Sequence, residues 1–352
     1  MSGPAGPVPP PSRRQPSTRK AWTGRRIAEV IATTAFGIAI AAALLTAKPG
    51  AHPAATTAVR GPASLAGARV AAQAQSGGRA GSRAAAACNP QASSIAPVGP
   101  PAVTSGSYMA KIRARGYLIA GVDQSTYHFG FLNPLDGQIE GFDIDMIRAV
   151  AKAIFGNPNA VHYKAISDAE RIPDLLNGSV DIVAHTMTIT CARLKQVDFS
   201  SVYFDAHERL LVPKNSGVTS VADLARQKIC VTTGSDSGSL VGGLPPGQRP
   251  VVVSVPYWTD CLVLLQQGQV AAIATDDAIL YGLAAQDPFT KVVGPPLTNE
   301  PYGLAISRQH PDFVQFVNAV LVEEHNDGAW AASYAHWIGT PVPAPPPAQY
   351  AS

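Results

Sequence analysis

Arg193 closes a short stretch, Thr186-Met-Thr-Ile-Thr-Cys-Ala-Arg193, in which hydroxyls, backbone amides and one guanidinium follow an apolar strand. A guanidinium is a planar fork that pairs with a carboxylate through two parallel hydrogen bonds. Thr186 and Thr188 alternate along extended chain, so their hydroxyls face one side. That chemistry is the capture of a small anionic group, such as the carboxylate of an amino acid. A holder for positive charge comes later. Asp276, in Thr275-Asp-Asp277, ends an apolar strand, and a strand-end carboxylate facing a cleft suits an ammonium group. Its neighbour Asp277 is expected to cap the helix that follows. The turn Thr232-Thr-Gly-Ser-Asp-Ser-Gly238 brings Gly234 for unusual backbone angles, amides able to converge on one oxygen, and the hydroxyls of Ser235 and Ser237. It lacks the Gly-Lys-Ser/Thr of a nucleotide-phosphate loop.

Asp123, Tyr127 and Phe129 follow the first strand, where an aromatic ring either packs on the aliphatic part of a ligand or joins the core. Arg171 opens a helix just after a strand, where it meets a ligand side chain or pairs with Asp168 or Glu170. An enzyme needs a nucleophile with a base, or an acid and base with shifted pKa values. The chain has no Gly-x-Ser-x-Gly and no His-Glu-x-x-His, and His128, His162 and His185 stand isolated. The pattern reads as binding, with no catalytic residue, no metal and no cofactor.

These residues need a scaffold of alternating strands and helices. Tyr117–Val122, Val161–Ala165 and Asp181–Ala184 read as strands, and Met109–Arg115, Phe142–Phe155 and Glu170–Leu176 as helices. In Phe142–Phe155 the residues Ile147, Ala151 and Ile154 share one face at a period near 3.6. After Phe199 the pattern restarts with strands at Arg209–Val212, Ile229–Thr232, Val251–Val255 and Ala271–Thr275. Helices are expected at Ser220–Arg226, Thr259–Gln267 and Ala278–Ala284, and two more, Asp312–His325 and Gly328–Trp337, end the folded part. Such alternation implies mainly parallel, helix-covered sheets. Two α/β lobes follow, the second inserted in the first, with the chain crossing back near Tyr302. Ligands in such folds sit at the carboxyl ends of strands, in the cleft between lobes.

The net charge of +3 averages two unlike regions. Up to residue 105 there are eleven Lys/Arg and one acid, Glu29; from 106 onward there are sixteen Lys/Arg against twenty-three Asp/Glu. A nucleic-acid binder carries its positive charge on the folded part, which here is acidic. Residues 1–26 form a basic leader. Residues 27–47 are apolar apart from Glu29, and about 20 such residues span a hydrocarbon core of ~30 Å. The basic flank stays inside, so the remainder is expected outside, anchored by an uncleaved signal anchor or secreted after cleavage of a signal peptide. Residues 48–105 read as a disordered tether and 340–352 as a Pro-rich tail. All four cysteines follow the apolar run, and an even number in an exported chain points to disulfides. Three pairings are possible. Cys230–Cys261, on a strand and a nearby helix, is favoured, which leaves Cys88–Cys191; free thiols are the alternative.

The residues match a known pattern. Gly141-Phe-Asp-Ile-Asp-Met, Asn177-Gly-Ser-Val-Asp-Ile-Val, Thr188-Ile-Thr, Val197-Asp-Phe-Ser200, Thr275-Asp-Asp and Pro301-Tyr-Gly-Leu-Ala-Ile resemble motifs of family 3 extracellular solute-binding proteins. These are the polar amino-acid binders of ABC transporters, and the glutamine/glutamate branch of actinobacteria is most similar. The likeness runs over residues 109–339. It implies a two-lobed type II periplasmic-binding-protein fold, a Venus flytrap, with residues 106–204 and 300–339 as one lobe and 205–299 as the other. It places Arg193, with Thr188 and the backbone at Thr186, on the ligand α-carboxylate, and Asp276 on the α-ammonium. The loop holding Thr232, Ser235 and Ser237 corresponds to the second-lobe contact. Arg171 falls where glutamate- and aspartate-binding members meet a side-chain carboxylate, Asp123 at an acidic position of glutamine-binding members, and Trp258 where some members have a cleft histidine. The implied ligand is glutamate, glutamine, aspartate or asparagine, and the implied partner an ABC permease. A membrane-tethered sensor acting on a signalling partner, or an enzyme such as a cyclohexadienyl dehydratase, would share the fold. The chain departs from its lipid-anchored relatives in having an apolar run and no lipid-attachment site.

Overall fold

The helix at Phe142–Phe155 buries Ile147, Val150, Ala151 and Ile154 completely, the face its apolar spacing marks out. Asp143 and Asp145 occupy its first turn, where negative charge suits the helix dipole. Gly141 precedes it at φ +135°, and a Cβ there would sit 2.1 Å from the Phe129 carbonyl oxygen, so only glycine admits this entry. The computed structural model describes residues 88–351. The leader, the apolar run 27–47 and the rest of the segment up to residue 87 lie outside the described residues. Among the described residues no helix is long and apolar enough to cross a membrane.

Two sheets organise the chain. The first has the order Val161–Ala165, Leu118–Val122, Ile182–Ala184, Ala305–Ile306, Asp198–Phe199. Its first three strands run parallel, and Ala305–Ile306 is antiparallel to both neighbours. Helices Phe142–Phe155, Pro311–Asn326 and Ala329–Trp337 contribute to one core beside it, centred on Phe142, Phe313 and Trp330. The second sheet has the order Val251–Val255, Lys228–Thr232, Ala272–Asp276, Phe204–Pro213, Thr290–Val293. Helices Trp258–Gln266 and Asp277–Gln286 pack on it around Leu211, Ile273 and Leu280.

The chain passes between the lobes on two antiparallel strands. Phe204–Pro213 leaves the first lobe and Asn299–Tyr302 returns to it, paired from Phe204 with Tyr302 to His207 with Asn299. The second lobe is thus an insertion, and the return at Tyr302 is where the sequence pattern puts it. The outgoing strand begins five residues before the expected Arg209, because its first residues pair across this hinge and not within the second sheet.

Residues 88–105 and 340–351 differ from the sequence expectation of a tether and a loose tail. The fully buried Asn318 amide donates to Ser94 Oγ and to the Ile95 carbonyl, both at 2.7 Å, and Ser94 Oγ donates to the Phe199 carbonyl at 2.7 Å. Tyr350 lies alongside Ser94, and the Ala351 amide donates to the Ser94 carbonyl. These polar partners order chain that has no apolar periodicity of its own. Both expected disulfides form, Cys88–Cys191 with Cα atoms 6.0 Å apart and Cys230–Cys261 at 5.5 Å.

Candidate functional site

The Gly141-Phe-Asp-Ile-Asp-Met motif and the stretch Thr186–Arg193 meet through one buried carboxylate. Asp143, in the first turn of its helix, accepts from the Thr186 amide at 2.7 Å and from the Tyr203 hydroxyl at 2.6 Å. Burial raises its pKa, and the bonds from Tyr203 and Thr186 oppose the rise. Thr186 is held at φ +42°, a conformation that a β-branched residue enters only under constraint. The chain then runs through Thr188, which bridges Tyr302, to the short turn Arg193–Lys195. Arg193 is 8 % exposed. Its guanidinium donates to the Thr188 carbonyl at 2.7 Å, folding the loop around itself. Its other end crosses to the second lobe, where it meets the Gly234 carbonyl at 3.3 Å and Asp236 Oδ1 at 3.4 Å.

Arg171 lies beside it with all its reach taken. It donates to the Asp168 carbonyl, the His185 carbonyl and the Gly234 carbonyl, and pairs with the Asp168 carboxylate at 3.0 Å. Asp168 also accepts from Thr232 Oγ1 of the second lobe. Burial pushes the Asp168 carboxyl upward, but Arg171, His185 and the Thr232 hydroxyl together outweigh it and leave the pKa lowered. Gly234 makes the closest backbone approach here. At φ +96°, it leaves no room for a Cβ, which would lie 2.6 Å from the Ala169 nitrogen. His185 is buried between Asp123 and Asp168; its Nε2 meets the Ile166 carbonyl at 2.9 Å, and its Nδ1 has no hydrogen-bond partner among the described residues.

Across the seam the charges do not balance. Asp276 stands at the N-cap position of the helix Asp277–Gln286, makes no capping bond, and accepts from the Tyr302 hydroxyl at 2.6 Å. Asp277 does not cap the helix as expected; it is the first helical residue and accepts from the His207 amide at 3.0 Å. Glu208 and Glu300, on the two hinge strands, come up to Asp276 so that one oxygen from each lies within 4.8 Å of the others. Ser237 donates to Glu208 Oε2 at 3.0 Å, and Thr298 donates to Glu300. Burial lifts Asp276 well above the usual carboxylate range, Asp236 and Glu300 add to it, and Tyr302 and Arg193 oppose it. Burial and then Asp276 lift Glu208 likewise. Burial and then Asp236 push Glu300 up to about 7.

A cavity of about 550 Å³ opens on this seam. It is lined by Thr188, Glu208, Asp236, Ser237 and Glu300, and by Pro90 and Gln91 from the segment that Cys88–Cys191 ties down. Of the residues singled out from sequence, Arg193, Thr186, Thr188, Arg171, Thr232, Ser237 and Asp276 gather along the interlobe seam, and Ser235 turns back to the Thr232 carbonyl at 2.9 Å. Asp123 spends its carboxylate on its own turn, accepting from Gln124, Ser125 and Thr126. Tyr127 is half-exposed on a hairpin whose backbone abuts Gly282 of the second lobe. Trp258 is packed in the second-lobe core among Cys230, Cys261 and Leu262, away from the cavity. Sequence reasoning passed over Asp143, Glu208, Asp236 and Glu300. Glu208, an acid two residues before the apolar Leu210-Leu-Val212, and Glu300, just before Pro301-Tyr, were the available signals.

Comparison with known proteins agrees with this architecture. The profile of the bacterial extracellular solute-binding proteins, family 3, matches residues 118–340. The ABC transporter glutamine-binding protein GlnH of Bacillus subtilis is 37 % identical over 231 residues, which cover 65 % of this chain and 84 % of that protein. The glutamine-binding protein of Geobacillus stearothermophilus is 39 % identical over 206 residues, 58 % of this chain and 78 % of that protein. Among solved structures, an ancestral arginine-binding protein bound to glutamine superposes with a TM-score of 0.60 at 34 % identity, over 64 % of this chain and 99 % of that one.

Proposed function

The chain belongs to the bacterial extracellular solute-binding proteins, family 3, and from that premise we propose that it captures a polar amino acid between its lobes, outside the cytoplasm, and delivers it to an ABC permease. The ligand class is glutamate, glutamine, aspartate or asparagine. The observation that carries the reading is the pairing of opposite charges across one seam. Arg193 comes from the first lobe and Asp276 from the second, and both are buried; Asp236 pairs with Arg193 and, as a like charge, raises the pKa of Asp276. Asp236 partners Arg193; an α-carboxylate takes that place with the Thr188 hydroxyl beside it, while the Thr186 amide stays with Asp143. The α-ammonium goes to Asp276. A ligand bridging both lobes favours the closed form by its differential affinity for closed over open.

No group on the seam is a nucleophile paired with a free base, and the family and the relatives are binders. The apolar run 27–47 is assigned to anchoring the protein at the membrane. A second reading, a tethered sensor of the same ligand, is favoured by one observation: Cys88–Cys191 joins the first of the described residues to the loop that carries Arg193. Co-purification with a permease supports delivery; co-purification with a signalling membrane protein supports sensing.

Calorimetry of the full chain against the polar amino acids tests the reading. Arg193→Ala leaves a desolvated carboxylate unpaired, which costs about 3–5 kcal/mol, or a loss of about 100-fold or more in affinity. Binding undiminished in Arg193→Ala contradicts it.

A further inference from the structure

The seam around Asp276 holds more acid than one ammonium requires. Glu208, Asp276 and Glu300 put three oxygens within 4.8 Å of one another. A separate observation bears on the trio: Glu208 is 1 % exposed, yet its Oε1 has no hydrogen-bond partner among the described residues. A buried carboxylate oxygen without a donor is costly, and carboxylates this close do not all ionise together. The elements packed around the trio supply little relief. Asp236, before the helix Ser237–Gly242, adds a fourth acid. Ser237, Thr188 and Tyr302 offer only neutral hydroxyls. Arg193 is engaged by Thr188, Gly234 and Asp236, and Arg171 is paired with Asp168.

We propose that Glu208 and Glu300 complete the ammonium seat with Asp276, and that a ligand's ammonium displaces a proton from this trio as the lobes close. The inference rests on the amino-acid-binding reading and extends it to residues with no assigned role. The exchange balances: a carboxyl O–H bond breaks, its proton passes to solvent, and ammonium N–H groups donate to the oxygens set free. The ligand enters as a zwitterion and stays one. Glu300, held near neutrality by burial and by Asp236, ionises where the exchange is measurable. Affinity must then rise with pH, because the empty form binds the proton that the filled form lacks.

The test is isothermal titration calorimetry of the full chain with glutamine and with glutamate, repeated in phosphate, HEPES and Tris, whose different protonation enthalpies count the protons released. The expected result is about one proton per ligand, with affinity rising about tenfold per pH unit between about pH 5.5 and 6.5. Glu208→Gln with Glu300→Gln weakens binding but removes both the release and the slope. Should that pair of changes abolish binding, Glu300→Gln alone lowers the release by more than half. Tight binding with no proton released overturns the proposal and leaves the amino-acid reading intact. Undiminished release from Glu300→Gln overturns it as well. Failure of any amino acid to bind overturns both.

Discussion

Asp168 and Asp276 are both aspartates buried on the same seam, and their surroundings treat them in opposite ways. Asp168 sits against Arg171, His185 and the Thr232 hydroxyl, and its pKa is lowered despite burial. Asp276 sits against Glu208, Glu300 and Asp236, and its pKa is raised by burial and then by Asp236 and Glu300. The first cluster carries its own cation, Arg171, and its hydrogen bonds reach across to Thr232 and Gly234. In the second, acids face one another, and Arg193, the cation that acts on Asp276, is bonded to Thr188, Gly234 and Asp236. Shared depth therefore does not give shared role. The balanced cluster suits a latch that holds the lobes together, and the unbalanced one suits a seat that a ligand fills. Arg171 belongs to the balanced cluster, where each of its three guanidinium nitrogens already has an acceptor.

The largest effect should come from breaking the balance of the first cluster. Asp168→Asn strands the Arg171 charge in a buried site, which costs about 3–5 kcal/mol; chemical denaturation of the ligand-free protein reads it directly. If stability changes by less than about 1 kcal/mol, the range of exposed ion pairs, the pair is no latch. A smaller effect should follow from Gly234→Ala. The new Cβ meets the Ala169 backbone nitrogen at 2.6 Å, in a backbone conformation that non-glycine residues occupy at a cost of about 1–3 kcal/mol. Closure weakens, ligand affinity drops by about 10- to 100-fold, and small-angle scattering shows a more open ligand-free form.

The smallest effect is in the pH response, where the two clusters oppose each other. Asp168 has a lowered pKa, so its contribution is present above the unfolded carboxyl value near 3.9 and is lost as pH falls through the folded value. The trio has raised pKa values, so stability is full below about pH 4 and is lost as pH rises towards the folded values, of which that of Glu300 is about 7. The melting temperature of the ligand-free protein should fall modestly between about pH 5 and 8, and saturating ligand should flatten the slope. A ligand-free melting temperature that rises over this interval would count against an unfilled acidic seat.

Much of the scaffold was legible in sequence because periodicity and glycine punctuation act locally. Phe142–Phe155 and Val161–Ala165 form with the bounds their patterns mark, and the insertion point at Tyr302 follows from the restart of the strand–helix alternation. Long-range polar partners were not legible. Nothing near Ser94 in sequence announces Asn318, 224 residues away, so the ordered segment after Cys88 read as tether. The site divides in the same way. Arg193, Thr188 and Asp276 carried local signals: a hydroxyl-rich turn and a strand end. Glu208 and Glu300 sit on separate strands and become a pair of acids beside Asp276 only once the hinge strands align. Trp258 shows the reverse failure: the resemblance alone put it where some members have a cleft histidine, and here it joins the core.

A crystal structure of the full chain with its amino acid bound is the most direct test. The carboxylate should lie within hydrogen-bonding distance of the Arg193 guanidinium, displacing Asp236, and the ammonium should lie among Asp276, Glu208 and Glu300. An amino acid bound with its ammonium turned away from Asp276, or held entirely within one lobe, would contradict capture across the seam.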